Sequence, residues 1–283
     1  MKMPQIVKPI FIVSMPRSGS SVFYQKFSTH PDLCWTSHDS KKFPRSAMLS
    51  KLLQKVRPDP RPTEGHRIWR RFAREEDDSM RREHVTEEQK RYYHDLIRAQ
   101  LRIFGKSRFI SKYPRNCLRL DWIDEIFPDA IFVHLVRDGR AVALSLLRKR
   151  DTHEGRPHWW GIRPPGWKNF AHCDPIESVA QQWKACVTHT RTLAADLPPQ
   201  QYGQFRYEDF CAAPADTLER VAALCDLKWP DRAALEQLVS NIDTQNYKWG
   251  ETFSENELEC MESVMGNLLE ELGYPCESLH SPV

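Results

Sequence analysis

Apolar residues along the chain come in short solid runs, separated by longer stretches in which apolar positions recur at helical spacing. Pro9-Ile10-Phe11-Ile12-Val13-Ser14 is β-branched and apolar throughout, the pattern of a strand buried on both faces. A small-residue turn over 15–21 leads into apolar positions at helical spacing over 22–27, and His30-Pro31-Asp32 stops that helix. The same unit recurs. Residues 108–112 predict a second strand, and Asn116 is placed to cap a helix running to Ile126. Residues 130–137 form the clearest buried strand, with a helix predicted over 140–150. A helix over 176–197, a strand over 204–207 and helices near 214–225, 232–239 and 255–272 complete the pattern. Repeated strand-helix alternation predicts an α/β fold with a central parallel sheet flanked by helices.

Two stretches depart from this rhythm. Residues 41–106 open with Pro58, Pro60 and Pro62 and continue into charges of mixed sign, such as Arg74-Glu75-Glu76-Asp77-Asp78, as on solvated helix faces. Tyr92, Tyr93, Leu96, Ile97, Leu101 and Phe104 give that stretch one apolar stripe, which predicts a helical insert packed back on the domain. Residues 151–175, rich in Pro, Gly, Trp and His, predict a long loop or lid. A single domain over 1–283 accommodates both.

Composition narrows the classes of function. The 283 residues are 40% hydrophobic, and 41 basic against 38 acidic side chains leave a formal charge of +3, enough core for a folded domain and too little charge for a nucleic-acid coat. No apolar run approaches the roughly 20 residues of a membrane span. The amino terminus lacks the apolar length and cleavage site of a signal peptide, so a cytoplasmic protein with neither nucleic-acid nor membrane partners is expected. The eight cysteines include no C-x-x-C pair, and no N-x-S/T sequon occurs.

The candidate chemistry begins at Met15-Pro16-Arg17-Ser18-Gly19-Ser20-Ser21. A strand entering a small-residue loop and then a helix presents backbone N–H groups and a positive helix end to an anion. Against the nucleoside-triphosphate loop G-x-x-x-x-G-K-[ST], Ser14 replaces the first glycine and Ser20 the lysine, and Arg17 supplies the positive charge. A plain strand-helix turn with serine caps is the structural alternative. A second anion site is suggested by Val136-Arg137-Asp138-Gly139-Arg140, which puts Arg137 at the carboxyl end of a buried strand and Ser145 on the following helix.

Together these motifs resemble the sulfotransferases that use 3′-phosphoadenosine 5′-phosphosulfate (PAPS), a P-loop-like family, and the resemblance covers most of the chain. It implies that Arg17, Ser18, Gly19, Ser20 and Ser21 bind the 5′-phosphosulfate and that Arg137 and Ser145 bind the 3′-phosphate. Ser111-Lys112-Tyr113-Pro114 resembles the family's lysine-bearing strand end, Arg206-Tyr207-Glu208-Asp209 its R-Y-E-D signature, and Tyr247-Lys248-Trp249-Gly250 its carboxyl-terminal cofactor loop, so Tyr207, Lys248 and Trp249 join the expected cofactor site. His30-Pro31-Asp32 and Phe127-Pro128-Asp129-Ala130 point to the branch of tyrosylprotein and bacterial stand-alone enzymes. The implied reaction is in-line transfer of a sulfuryl group to a hydroxyl or amine, with Lys112 and Arg17 stabilising the leaving charge and no metal. The implied acceptor is a small molecule, sugar or peptide; the sequence leaves its identity and the oligomeric state open.

The departures fall where the base is chosen. Ser37-His38, followed by Asp39, stands where the tyrosylprotein branch has paired glutamates, and no histidine follows Lys112. His38 is therefore the candidate base, a surface histidine its structural alternative, and Asp39 and His153 the next candidates. His153-Glu154-Gly155-Arg156-Pro157-His158 misses the H-E-x-x-H spacing and carries helix breakers, which excludes a metalloprotease. His153, His158, Trp159, Trp160, Trp167 and His172 either line an acceptor pocket or anchor a loop. A nucleotide or nucleoside kinase, or a non-catalytic nucleotide- or RNA-binding module, are the rival classes.

Overall fold

The computed structural model describes residues 4–37, 49, 61–151, 159–244 and 246–276. Strands β1 (Ile10–Val13), β2 (Leu33–Cys34), β3 (Arg108–Lys112), β4 (Ile131–Val136) and β5 (Tyr202–Arg206) form one sheet in the order β2-β3-β1-β4-β5. All neighbouring pairs are parallel. The central strands bury both faces, and the pleat sorts their side chains with period two. Ile10, Ile12, Ile110, Val133 and Leu135 enter one apolar cluster, whereas Phe11, Val13, Phe109, Phe132 and Val136 enter the other.

Each face carries its own helices. The first is covered by α1 (Ser20–Phe27), together with three helices introduced late in the chain, α7 (Tyr207–Ala212), α8 (Pro214–Leu224) and α9 (Arg232–Val239). The second is covered by α2 (His66–Trp69), α3 (Glu87–Phe104), α4 (Leu120–Ile126), α5 (Gly139–Asp151), α6 (Pro175–Ala194) and α10 (Glu255–Glu271). A parallel sheet between two helical layers is the architecture the alternation predicted.

Helix α3 is the longest element among the described residues of the 41–106 stretch. Thr86 caps its amino end by accepting from the Gln89 N–H at 3.3 Å, and Gly105 ends it in the left-handed conformation. Its apolar stripe packs on the sheet through Tyr93, which stacks on Trp69 with centroids 4.9 Å apart. The helix thereby forms the crossover from β2 to β3. With only two residues, β2 leaves too short an apolar run to register as a strand in the sequence.

Asn116 does not cap a helix. Pro114 starts a tight 3-10 turn, Pro114–Leu118, in which Asn116 is buried, and α4 begins only at Leu120. The intervening Arg119 is buried and donates to the carbonyls of Trp69 and Asp78, both at 2.8 Å, which pins the turn against α2. All eight cysteines are free thiols. Among the described residues no helix is long and apolar enough to cross a membrane.

Candidate active site

The carboxyl edge of the sheet gathers the motif residues. Strand pairing places Ile12 of β1 beside Lys112 of β3, and Val13 beside His134 of β4, so the loop after β1 lies between the end of β3 and the start of α5. Arg17 takes a left-handed φ of 73° and Gly19 one of 77°, which folds the loop back before α1. A Cβ at Gly19 would overlap the Tyr207 ring, so this position needs glycine for space as well as for φ. Ser14 Oγ donates to Ser20 Oγ at 2.7 Å and ties the two ends of the loop together.

The two anion motifs meet. Arg17 Nε donates to Ser145 Oγ at 2.8 Å, and the Arg137 guanidinium donates to the Arg17 carbonyl at 3.0 Å. Arg137 lies 4.7 Å above the Tyr207 ring and donates to Asn246 Oδ1 at 2.7 Å. Asn246 in turn donates to Glu208, which also accepts from the Tyr274 hydroxyl at 2.7 Å. The R-Y-E-D segment therefore props the arginine from below. Lys248 and Trp249 share a 3-10 turn with Asn246. The Trp249 ring packs 4.1 Å from the Arg140 guanidinium, which is bridged to Asp138 and Glu262 at 2.9 and 2.8 Å.

Lys112 is nearly inaccessible, and its ammonium donates to Ser21 Oγ at 3.2 Å and to Glu64 Oε1 at 2.5 Å. The other oxygen of Glu64 lies 3.0 Å from His66 Nε2. Burial pushes the lysine pKa down, assisted by the charge of Arg17 and opposed by Glu64. Burial alone would raise the Glu64 pKa, but the hydrogen bond with His66 and the charge and hydrogen bond of Lys112 outweigh it and hold the carboxyl at about 2. The Glu64 carboxyl is therefore ionised at neutral pH.

Glu64 was not singled out in the sequence. It follows the proline-rich segment in a charged stretch, and only tertiary pairing brings it to the site. Ser37 and Pro62 form an antiparallel bridge, and the Thr63 N–H donates to the Thr36 carbonyl at 2.9 Å. Gly65, with φ 62°, then turns the chain into α2. The one local signal is an acidic residue before a glycine that opens a helix. His38, the sequence candidate for the base, lies outside the described residues, as do Asp39, His153 and His158.

A cavity of about 940 Å³ opens over this pair, and its lining includes Arg17, Ser21, Glu64, His66 and Lys112 together with Arg115, Arg150, Trp159, Trp160 and His172. Two tryptophans of the 151–175 stretch thus line a pocket. Trp167 instead donates to the Glu76 carbonyl at 3.0 Å and packs on Trp159, anchoring the loop. The loop fits an oxyanion group. No side chain caps α1, which leaves its first N–H groups free for an anion, and Ser18 Oγ is buried without a hydrogen-bond partner among the described residues.

A parallel α/β sheet with a small-residue loop after its first strand, and a buried lysine on the neighbouring strand, is a P-loop-like architecture. The family model described as "Sulfotransferase family" matches residues 9–231, and the chain belongs to that family. Among curated proteins it is 21% identical to a protein-tyrosine sulfotransferase of Drosophila melanogaster over 227 residues, covering 78% of this chain and 38% of that protein. The chain spans less than half the length of the curated relatives it matches. Among solved structures it is similar to a sulfotransferase of Mycobacterium avium, with TM-score 0.64 and 14% identity over 96% of this chain and 79% of the other. It is also similar to a mouse sulfotransferase complexed with 3′-phosphoadenosine 5′-phosphate (PAP), with TM-score 0.52 and 13% identity over 95% and 90%. These two likenesses establish the fold.

Proposed function

We propose that the protein transfers a sulfuryl group from PAPS to a hydroxyl or amine of an organic acceptor held in the cavity, with Glu64 rather than His38 as the base. The observation that carries this reading is the Lys112 ammonium, shared between Glu64 and Ser21 at the mouth of an anion loop. PAPS supplies the activated sulfuryl group when bound. The loop from Arg17 to Ser21 holds its 5′ end, and Arg137 with Ser145 holds the 3′-phosphate, with Tyr207, Lys248 and Trp249 completing the nucleotide site. The complex of the mouse enzyme with PAP supports that choice of donor.

Glu64, ionised and facing the cavity, takes the acceptor proton. Lys112 and Arg17 offset the negative charge that grows on the loop side, where fixed cations in a water-poor site act most strongly. Ser20, in place of the P-loop lysine, disfavours the kinase reading.

The test is acceptor profiling by mass spectrometry with purified protein and PAPS, followed by variants on the acceptor found. Glu64→Gln is expected to lower kcat by about 100-fold to 10,000-fold, as loss of a positioned base does, and Lys112→Ala by on the order of 100-fold with PAP affinity close to wild type. A Glu64→Gln enzyme with wild-type turnover would return the base to His38. Absence of any sulfated product across the panel, with no binding of PAP, would reject the function.

A further inference from the structure

One wall of the cavity carries a cation for which the described residues provide no counter-charge. Arg150, in the last turn of α5, is half-buried and lines the cavity. Its two terminal nitrogens make long hydrogen bonds to neutral groups, to Ser178 Oγ at 3.3 Å and Gln182 Oε1 at 3.4 Å. Its Nε is buried without an acceptor. The Trp159 ring lies 5.4 Å from the guanidinium carbon, and the Trp159 indole N–H is likewise buried and unpaired.

Neighbouring arginines show what a satisfied guanidinium looks like in this protein. Arg115, which lines the same cavity, donates to Asp78 at 2.7 Å and also reaches the Gly161 carbonyl. Arg140 is held between Asp138 and Glu262. Burial pushes the Arg150 pKa down, and no carboxylate among the described residues opposes it. A helix carboxyl end attracts basic residues, but the Arg150 nitrogens turn to the side chains of α6 instead of to the last carbonyls of α5. A guanidinium has five donors in a fork that matches a carboxylate, and here only two are engaged.

We propose that Arg150, backed by Trp159, is the subsite for a carboxylate carried by the acceptor. This assignment rests on the sulfotransferase reading and deepens it. The acceptor is an organic acid whose hydroxyl or amine reaches Glu64 and Lys112, and whose apolar body lies against Leu147, Trp160 and Ile162 of the same cavity.

The probes are 3-(4-hydroxyphenyl)propionate and its neutral primary amide, titrated calorimetrically into the wild-type protein with and without saturating PAP. The carboxylate is expected to bind at least about tenfold more tightly than the amide, and that preference should weaken with salt. Arg150→Gln should bring the ratio near one and Arg150→Lys should keep part of it, while thermal melts followed by circular dichroism report an intact fold in both variants. Equal binding of the two probes to wild type, or no binding of either at millimolar concentration, overturns the proposal without recourse to any variant. A fall in PAP affinity in Arg150→Gln likewise overturns it, because the arginine then belongs to the donor site. If PAP fails to bind wild type, the donor reading falls, and the probe ratio measured without PAP still decides the subsite.

Discussion

Glu64→Gln probes the Lys112 pair through stability as well as through turnover. The substitution keeps the shape of the side chain and removes its charge. In the folded protein the carboxyl sits at about 2 against an ordinary 4.5. At 1.36 kcal/mol per tenfold change in proton affinity, that gap corresponds to about 3 kcal/mol, taken from Glu64 because its partner is almost fully buried. Lys112 sees the same interaction from the other side, and its pKa still falls because burial exceeds what the carboxylate returns. The Lys112 part of the two views is one energy and does not add, and the rest of the lowering at Glu64 comes from His66. For a chain of this size about 3 kcal/mol corresponds to roughly 6 °C in Tm. A carboxyl with a depressed folded pKa stabilises above its unfolded value and loses that contribution as pH falls through the folded value. Thermal melts followed by circular dichroism should therefore show Glu64→Gln about 6 °C below wild type at pH 7, with the gap roughly halved near pH 3 and gone below pH 2. Equal Tm values at pH 7, or a gap that does not shrink with acid, would refute the ion-pair account.

Arg137→Ala should remove about tenfold or more of the preference for PAP over AMP, measured by calorimetry, because the lost donor is charged and already oriented by Asn246; unchanged discrimination would separate Arg137 from the 3′-phosphate. Gly19→Ala should cost on the order of 1 to 3 kcal/mol of stability, from a φ of 77° and the Tyr207 ring. It should also weaken PAP binding by about tenfold or more, and a variant with wild-type affinity would mean that the loop adopts another conformation to bind.

What the sequence revealed is what local chemistry encodes. The strand, loop and helix around Arg17 to Ser21 are contiguous, so hydrophobic pattern and small residues sufficed to find them. Arg137 and Ser145 were legible for the same reason, the first directly after a buried strand and the second about two turns into the helix that follows it. Lys112 was found at the end of a strand, although its burial was not. Glu64 escaped because its role depends on a partner 48 positions away and on the bridge between Ser37 and Pro62. Proline-rich sequence reads as a breaker, and nothing in its composition reports that it lays a carboxylate beside a lysine. His38 was reached by matching its position after His30-Pro31-Asp32 to the base of the tyrosylprotein branch, and it lies outside the described residues. Arg150 escaped for a different reason. In sequence it is one of several basic residues ending a helix, and only its place in the cavity lining beside Trp159 distinguishes it from Arg148 and Lys149.

The pair at the centre of the site settles a physical conflict that neither residue meets alone. A lysine this deeply buried tends toward its neutral form, which would be useless for stabilising negative charge. A partly buried carboxyl tends toward its protonated form, which would be useless as a base. Placed 2.5 Å apart, each supplies a charge that opposes the effect of burial on the other, and the Glu64 carboxylate is held ionised before any ligand arrives. His66 on the far oxygen of Glu64 and Ser21 on the ammonium then limit how each can turn. The same coupling means that a change at either residue alters the proton affinity of its partner. A single-site loss of activity therefore measures the pair, and only the cycle of Glu64→Gln, Lys112→Ala and the double variant separates the base from the cation.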